Sequence, residues 1–237
     1  MLEIKNLTKI YEDKKAVNNL NLEIKDGEIF GFIGHNGAGK TTTIKSMVGI
    51  LNFEEGQILI DGLSIKKEPI KCKKNIAYIP DNPDIYENIT AISYLNFIAD
   101  IFEISQEDRK ERIEKYSKLF EIKDNLNELI SSYSHGMKQK LVIISALIHR
   151  PKLLILDEPF VGLDPKATFI LKEIMHDMTK EGCSIFFSSH VLEVVEKLCD
   201  RVGIIKQGKL IKCGSVEEIK GDESLEEVFL ELTKNEK

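Results

Sequence analysis

The spacing of apolar positions divides the chain into short strands, a central helical block, and a second run of strands and helices. Leu2 and Ile4, then Leu20, Leu22 and Ile24, alternate with polar residues and predict strands. Lys25-Asp26-Gly27-Glu28 turns the chain into an unbroken apolar run, Ile29 to Ile33, which predicts a buried strand. Ile44, Met47, Val48 and Leu51 then recur at the spacing of an amphipathic helix. Asn52 to Gly56 reads as loop, Gln57 to Ile60 as a strand ended by an Asp61-Gly62 hairpin turn, and Ile76 to Ile79 as a strand stopped by Pro80. After the breaker-rich loop Asp81-Asn82-Pro83-Asp84 the period lengthens. From about Thr90 to Arg150 it is helical, with stripes at Ile113, Tyr116 and Phe120 and at Met137, Leu141, Ile144 and Ile148.

Pro151 closes that block, and Leu153 to Leu156 follows as the continuous apolar run of a parallel strand covered on both faces. Asp164-Pro165 supplies the N-cap and first-turn residues of a helix whose stripe is Ala167, Ile170, Leu171, Ile174, Met175 and Met178. A strand from Ser184 to Ser188, a helix carrying Val191, Val194, Val195 and Leu198, and a hairpin turning at Gln207-Gly208 complete the core pattern. Leu225, Val228, Phe229 and Leu232 predict a final amphipathic helix. Strands alternating with helices around an apolar parallel run predict an α/β fold.

Composition narrows the class without changing the fold. The 237 residues are 42% hydrophobic and 30% charged, ordinary for a globular protein. No apolar run approaches the roughly 18 residues that would cross a bilayer, and Met1-Leu2-Glu3-Ile4-Lys5 is not the start of a signal peptide, so the chain is expected in the cytosol. A net charge of -6 argues against nucleic acid as a partner. The basic stretch Lys66 to Lys74 is expected to be a solvated loop. Cys72, Cys183, Cys199 and Cys213 show neither paired nor metal-ligand spacing and are expected to be reduced thiols of minor structural weight.

Chemistry concentrates in four places. Gly34-His35-Asn36-Gly37-Ala38-Gly39-Lys40-Thr41-Thr42 lies between a predicted strand and a predicted helix, the setting of a phosphate-cradling loop. Its glycines bring backbone N–H groups to phosphate oxygens, Lys40 is placed to reach the β- and γ-phosphates, and the Thr41 hydroxyl to ligate Mg²⁺. Asp157 and Glu158 end the apolar strand, at the sheet edge where ligands bind in open α/β sheets, and lie beside the loop if the two strands are neighbours. There Asp157 suits Mg²⁺, and Glu158 suits activation of the water that attacks the γ-phosphate. His190 ends a later strand, where it contacts the γ-phosphate or else caps the following helix. Tyr11, in a predicted loop between the first strands, is either a stacking surface for adenine or a half-buried packing residue.

In this order the motifs resemble the nucleotide-binding subunits of ABC transporters, over nearly the full chain. The resemblance implies a P-loop NTPase core with a mixed sheet, an N-terminal antiparallel β subdomain and an inserted α-helical subdomain. On that pattern residues 1–82 and 151–214 form the core, 83–150 the helical insertion and 215–237 a helical tail. Tyr11 is then the adenine-stacking aromatic, and Gly34, Asn36, Gly37, Ala38, Gly39, Lys40, Thr41 and Thr42 the phosphate loop. Leu153 to Glu158 becomes the Mg²⁺ strand with its catalytic glutamate, Gly162-Leu163-Asp164 the D-loop, and His190 the switch histidine. Tyr133-Ser134-His135-Gly136-Met137 stands where the family carries its signature, commonly L-S-G-G-Q.

The resemblance also implies that two such subunits pack head to tail. ATP lies between the phosphate loop of one and Ser134 and Gly136 of the other, with Lys40, Glu158 and His190 around the γ-phosphate. The implied partners are ATP, Mg²⁺, a second ATPase subunit and an integral membrane permease, which would hold the chain on the inner face of the membrane. Three positions depart from the pattern: His135 and Met137 replace signature residues, and Asp81 stands where a glutamine is usual. A carboxylate at Asp81 suits Mg²⁺ but repels phosphate. Such departures are similar to those of bacterial drug, peptide or lipid exporters. A soluble ABC ATPase without a permease, of the iron-sulfur assembly type, or a nucleotide-sensing module remains the alternative.

Overall fold

The computed structural model describes residues 1–82 and 85–234. The first part of the chain forms β1 (Leu2–Tyr11), β2 (Lys14–Ile24), β3 (Ile29–Ile33), α1 (Lys40–Met47), β4 (Glu55–Ile60), β5 (Leu63–Ser64), α2 (Pro69–Lys74) and β6 (Ile76–Ile79). The helical block contributes α3 (Ala91–Ile101), α4 (Gln106–Leu119) and α5 (His135–Leu147). The remainder is β7 (Leu153–Asp157), α6 (Pro165–Lys180), β8 (Ser184–Ser189), α7 (Leu192–Leu198), β9 (Arg201–Lys206), β10 (Lys209–Ser215), α8 (Val216–Lys220) and α9 (Leu225–Lys234).

Two sheets organise these elements. One is antiparallel, in the order β2-β1-β4-β5, and the other is mixed, in the order β10-β9-β3-β8-β7-β6. In the mixed sheet β3, β6, β7, β8 and β9 run parallel and β10 pairs antiparallel to β9. Because side chains alternate between faces of a strand, each apolar run serves two cores. Phe30 and Phe32 of β3, Leu153 and Ile155 of β7, and Phe186 of β8 face the antiparallel sheet together with Ile44 and Met47 of α1. Ile29, Ile33, Leu154, Leu156, Ile185 and Phe187 face the opposite core, shared with α5, α6 and the helical block. Phe186 stacks on Phe30 at 5.9 Å and packs against Phe32 at 5.3 Å, so the centre of the sheet is an aromatic ladder.

The helical block is inserted between β6 and β7, which are themselves adjacent. Each of its helices starts on a hydroxyl cap: Thr90 accepts from the Ser93 N–H, Ser105 from Asp108 and Ser134 from Met137. Asp164 caps α6 in the same way, accepting from Ala167 at 2.8 Å.

Several sequence expectations change. The basic stretch is not a loop: Pro69 opens the short helix α2, which is anchored by the fully buried Cys72. Glu55 and Gly56 belong to β4, extended by pairing to β1, and Tyr11 is the last residue of β1 rather than part of a loop. Leu51 lies past the end of α1, and the five-residue α8 carries too little periodicity to be read in advance. The predicted turn residues Pro83 and Asp84, and residues 235–237 of the tail, lie outside the described residues.

Candidate functional site

The phosphate loop leaves the buried end of β3 and enters α1 at Lys40. Gly39, the residue before the helix, has φ 111°, and a Cβ there would sit 2.6 Å from the Ala16 carbonyl oxygen. Only glycine meets both conditions. Thr43 donates its hydroxyl back to the Gly39 carbonyl at 2.8 Å, fixing the first turn. Lys40 is buried, and its Nζ donates to the carbonyls of Gly34 at 2.6 Å and His35 at 3.4 Å. Burial lowers the pKa of this ammonium, while the charges of Glu158 and Asp157 act in the opposite direction. The carboxylate strand therefore reaches the loop electrostatically.

It does so across an intervening strand. β8 lies between β3 and β7, so Asp157 and Glu158 are not on a strand adjacent to the loop. What β8 adds is Ser188, whose Oγ donates to Asp157 Oδ1, and His190 just beyond its end. Asp157 is 1% exposed, and its Oδ2 has no hydrogen-bond partner among the described residues. A buried carboxylate oxygen left open within electrostatic reach of the loop's Lys40 fits a hard cation such as Mg²⁺. Among the described residues no group of three or more His, Cys, Asp or Glu is placed to hold a metal. Mg²⁺ that keeps phosphate and water ligands needs only one or two carboxylates.

Glu158 has φ 50°, and its N–H donates to the Ser188 carbonyl at 3.2 Å. Its Oε2 lies 3.0 Å from His190 Nδ1. His190 thus pairs with the carboxylate and caps no helix; Val191 is the N-cap of α7. Two clefts meet at the loop and share His35 and Asn36. One, of about 620 Å³, has Glu158, His190 and Phe229 in its wall. The other, of about 650 Å³, has Gly37, Gly39, Lys40, Thr41 and Thr42 in its wall and extends to Tyr11, which is 45% exposed. Ala38 is buried beneath the loop, and its carbonyl accepts from the Gly208 N–H at 2.8 Å.

The remaining predicted residues stand apart. Ser134 and Gly136 are at the N-terminus of α5 and belong to neither cleft. Asp164 is held by Lys140 of α5 at 2.7 Å, which with its capping bond keeps its carboxyl below the usual range. Asp81 is exposed at the end of the edge strand β6, outside both clefts. Its charge and that of Asp157 both act on the Tyr78 hydroxyl, which burial in the first place pushes above the ordinary tyrosine range. Ser188, Phe229 and Gln207, the last in the wall of the cleft that reaches Tyr11, are not marked as site residues by the sequence. Each lies far along the chain from the loop it approaches, so no local pattern marks it.

The profile of the ABC transporter family matches residues 17–161. EcsA of Bacillus subtilis (strain 168), an ABC-type transporter ATP-binding protein, is 34% identical over 241 residues, covering 100% of this chain and 98% of its own length. The bacitracin transport ATP-binding protein BcrA of Bacillus licheniformis is 40% identical over 213 residues, covering 90% of this chain and 69% of its own. A solved structure of the ATP binding subunit of an ABC transporter superposes with a TM-score of 0.95 at 33% identity, over 98% of this chain and 99% of that one. A strand, phosphate loop and helix facing a carboxylate strand, in a chain matched along its length by these relatives, place it in the ABC transporter ATP-binding family as an ATP-binding ATPase.

Proposed function

We propose that the chain hydrolyses Mg-ATP within a head-to-tail dimer and drives a separate membrane permease, in the drug, peptide or lipid export branch. The observation that carries the hydrolytic part is the Glu158–His190 pair, 3.0 Å apart in the wall of a cleft that also contains Gly34, His35 and Asn36 at the start of the phosphate loop. Tyr11 stacks on the adenine. The loop N–H groups, Asn36 and Lys40 hold the phosphates, and Thr42 lines their path. Thr41 and Asp157 would be the oxygen donors for Mg²⁺, while Asp81, exposed and outside both clefts, is left out of that set. When bound, the cation neutralises charge on the β- and γ-phosphate oxygens. Glu158 accepts a proton from the attacking water, and His190 orients both the carboxylate and the γ-phosphate.

Ser134 and Gly136 lie outside the chain's own clefts and at a helix N-terminus, an arrangement suited to phosphate held by a second subunit. Asp164, at the start of α6 and tied to α5, borders that shared site. For the permease, α3 offers an exposed aromatic face: Phe97 is 47% exposed and packs edge-on against Tyr86, 66% exposed. Among the described residues no helix is long and apolar enough to cross a membrane. On this reading the permease holds the chain at the inner face of the membrane. The name of the Bacillus licheniformis relative, a bacitracin transport ATP-binding protein, supports the drug branch.

Glu158→Gln tests the assignment. Turnover falls by roughly 10²- to 10⁴-fold, the usual contribution of a general base, and an ATP-bound dimer persists on size-exclusion chromatography. Near-normal hydrolysis would overturn it. Co-extraction of an integral membrane protein in mild detergent checks the permease.

A further inference from the structure

The C-terminal helix enters the nucleotide site. Phe229 of α9 is 7% exposed, and its ring centroid lies 5.0 Å from that of His35, the first side chain of the phosphate loop. Phe229 also shares a cleft wall with Glu158 and His190. The helix is not loosely attached. Leu225 is fully buried and its N–H donates to Glu196 Oε2 at 3.0 Å, on α7, while Lys220 of α8 reaches the same carboxylate at 3.5 Å. Because α7 starts two residues after His190, α9 is braced against one wall of the catalytic cleft and presses a ring on the other.

The contact bears on Lys40 through the backbone. The His35 carbonyl accepts from the Ala38 N–H at 3.1 Å and from Lys40 Nζ at 3.4 Å. Holding the His35 side chain holds that carbonyl, and with it the path of the loop around the ammonium. We propose that Phe229 is a positioning residue for ATP binding, and that α9 is a strut fixing the phosphate loop relative to the Glu158–His190 wall. The proposal rests on the reading that the loop of Lys40 binds the phosphates of ATP.

An aromatic contact of this kind is worth roughly a two- to tenfold change in an equilibrium constant. Phe229→Ala therefore raises the KM for ATP by about that factor, with a smaller change in kcat. His35→Ala does the same, and the double variant is no worse than the more affected single one, because the two side chains act through one contact. Phe229→Tyr, which keeps the ring, returns KM to near its original value. Phe229→Leu keeps the apolar volume and the melting temperature but leaves KM raised. In a Glu158→Gln background, where turnover is suppressed, Phe229→Ala weakens binding of a fluorescent ATP analogue by the same factor. That arm separates the strut from the assignment of Glu158. Additive effects of the His35 and Phe229 substitutions, an unchanged KM in Phe229→Ala, or full recovery of KM by Phe229→Leu would each overturn the proposal.

Discussion

Replacing Ser188 by alanine removes the hydroxyl that donates to Asp157 Oδ1. Asp157 is 1% exposed and its other oxygen has no partner among the described residues, so the variant leaves a buried carboxylate without a side-chain donor. A hydrogen bond to a charged group contributes about 1.5–3 kcal/mol, and its loss is felt in full where water cannot replace it. For a chain of this size a loss of about 2 kcal/mol lowers the melting temperature by about 4–8 °C. Ser184, at the opposite end of the same strand and also fully buried, is the control. Its Oγ donates to the Lys25 carbonyl at 2.9 Å and accepts from the Gly27 N–H at 3.2 Å, both neutral partners. Ser184→Ala therefore lowers stability without touching the site. The two variants part in a Mg²⁺ titration of ATPase activity. Ser188 orients the proposed ligand, so its loss raises the Mg²⁺ requirement by roughly 10-fold or more, whereas Ser184→Ala leaves it unchanged. A Ser188→Ala protein that melts within a degree of the original and titrates identically with Mg²⁺ would refute this account of Asp157.

Two further predictions concern the region between Glu158 and α6. Gly162→Ala meets both a φ of 80° and a contact of 2.7 Å with the His135 ring. It should destabilise the protein by about 1–2 kcal/mol from backbone strain alone, with the steric part relieved in a His135→Ala background, measured by urea unfolding of the three variants. Lys140→Ala removes the partner that holds the Asp164 carboxyl below its ordinary pKa. A depressed carboxyl stabilises the fold above its unfolded-state pKa, and that contribution is lost as pH falls through the folded-state value. The pair is half open to solvent, so its worth is at most about 1 kcal/mol. The stability difference between the two proteins should be present at pH 7 and vanish below the usual carboxylate range; a difference that persists in acid would assign it to packing instead.

Local chemistry explains which parts of this architecture were legible. The strands over Ile29–Ile33 and Leu153–Asp157 could be read because a strand covered on both faces is apolar along its run, here up to Leu156 in the second, and the phosphate loop because its glycines stand between such a strand and a helix. Caps such as Asp164 announce themselves one residue before the helix. Strand order does not: nothing within Ser184–Ser189 says that it inserts between β3 and β7, yet that insertion delivers Ser188 to Asp157. Phe229 was read as one apolar position in a tail helix, and its contact with His35 spans most of the chain. The short helices α2 and α8 fall below the length at which an apolar stripe repeats. What escaped the sequence is therefore the non-local part of the site, including the groups that hold its charged residues in place.

The backbone at Glu158 shows where the fold spends stability on function. Other non-glycine residues with positive φ have ordinary reasons for it. Glu12, Asp61 and Gln207 form hairpin turns, Glu103, Glu121 and Arg150 follow helix ends, and Asn6 and Asn19 lie where the β1–β2 pairing shifts register. Glu158 instead adopts φ 50° directly after a fully buried parallel strand, a conformation costing about 1–3 kcal/mol. It is offset locally by the bond from its N–H to the Ser188 carbonyl, and by the His190 contact that holds its carboxylate. Without that turn of the backbone, the side chain after Asp157 would continue the alternation of β7 onto the face of Leu154 and Leu156. The strain thus turns a strand terminus into two carboxylates in separate settings, suited to the two tasks proposed for them. Asp157 stays buried, with one oxygen free for a cation, and Glu158 is swung into the cleft beside His190, within electrostatic reach of Lys40.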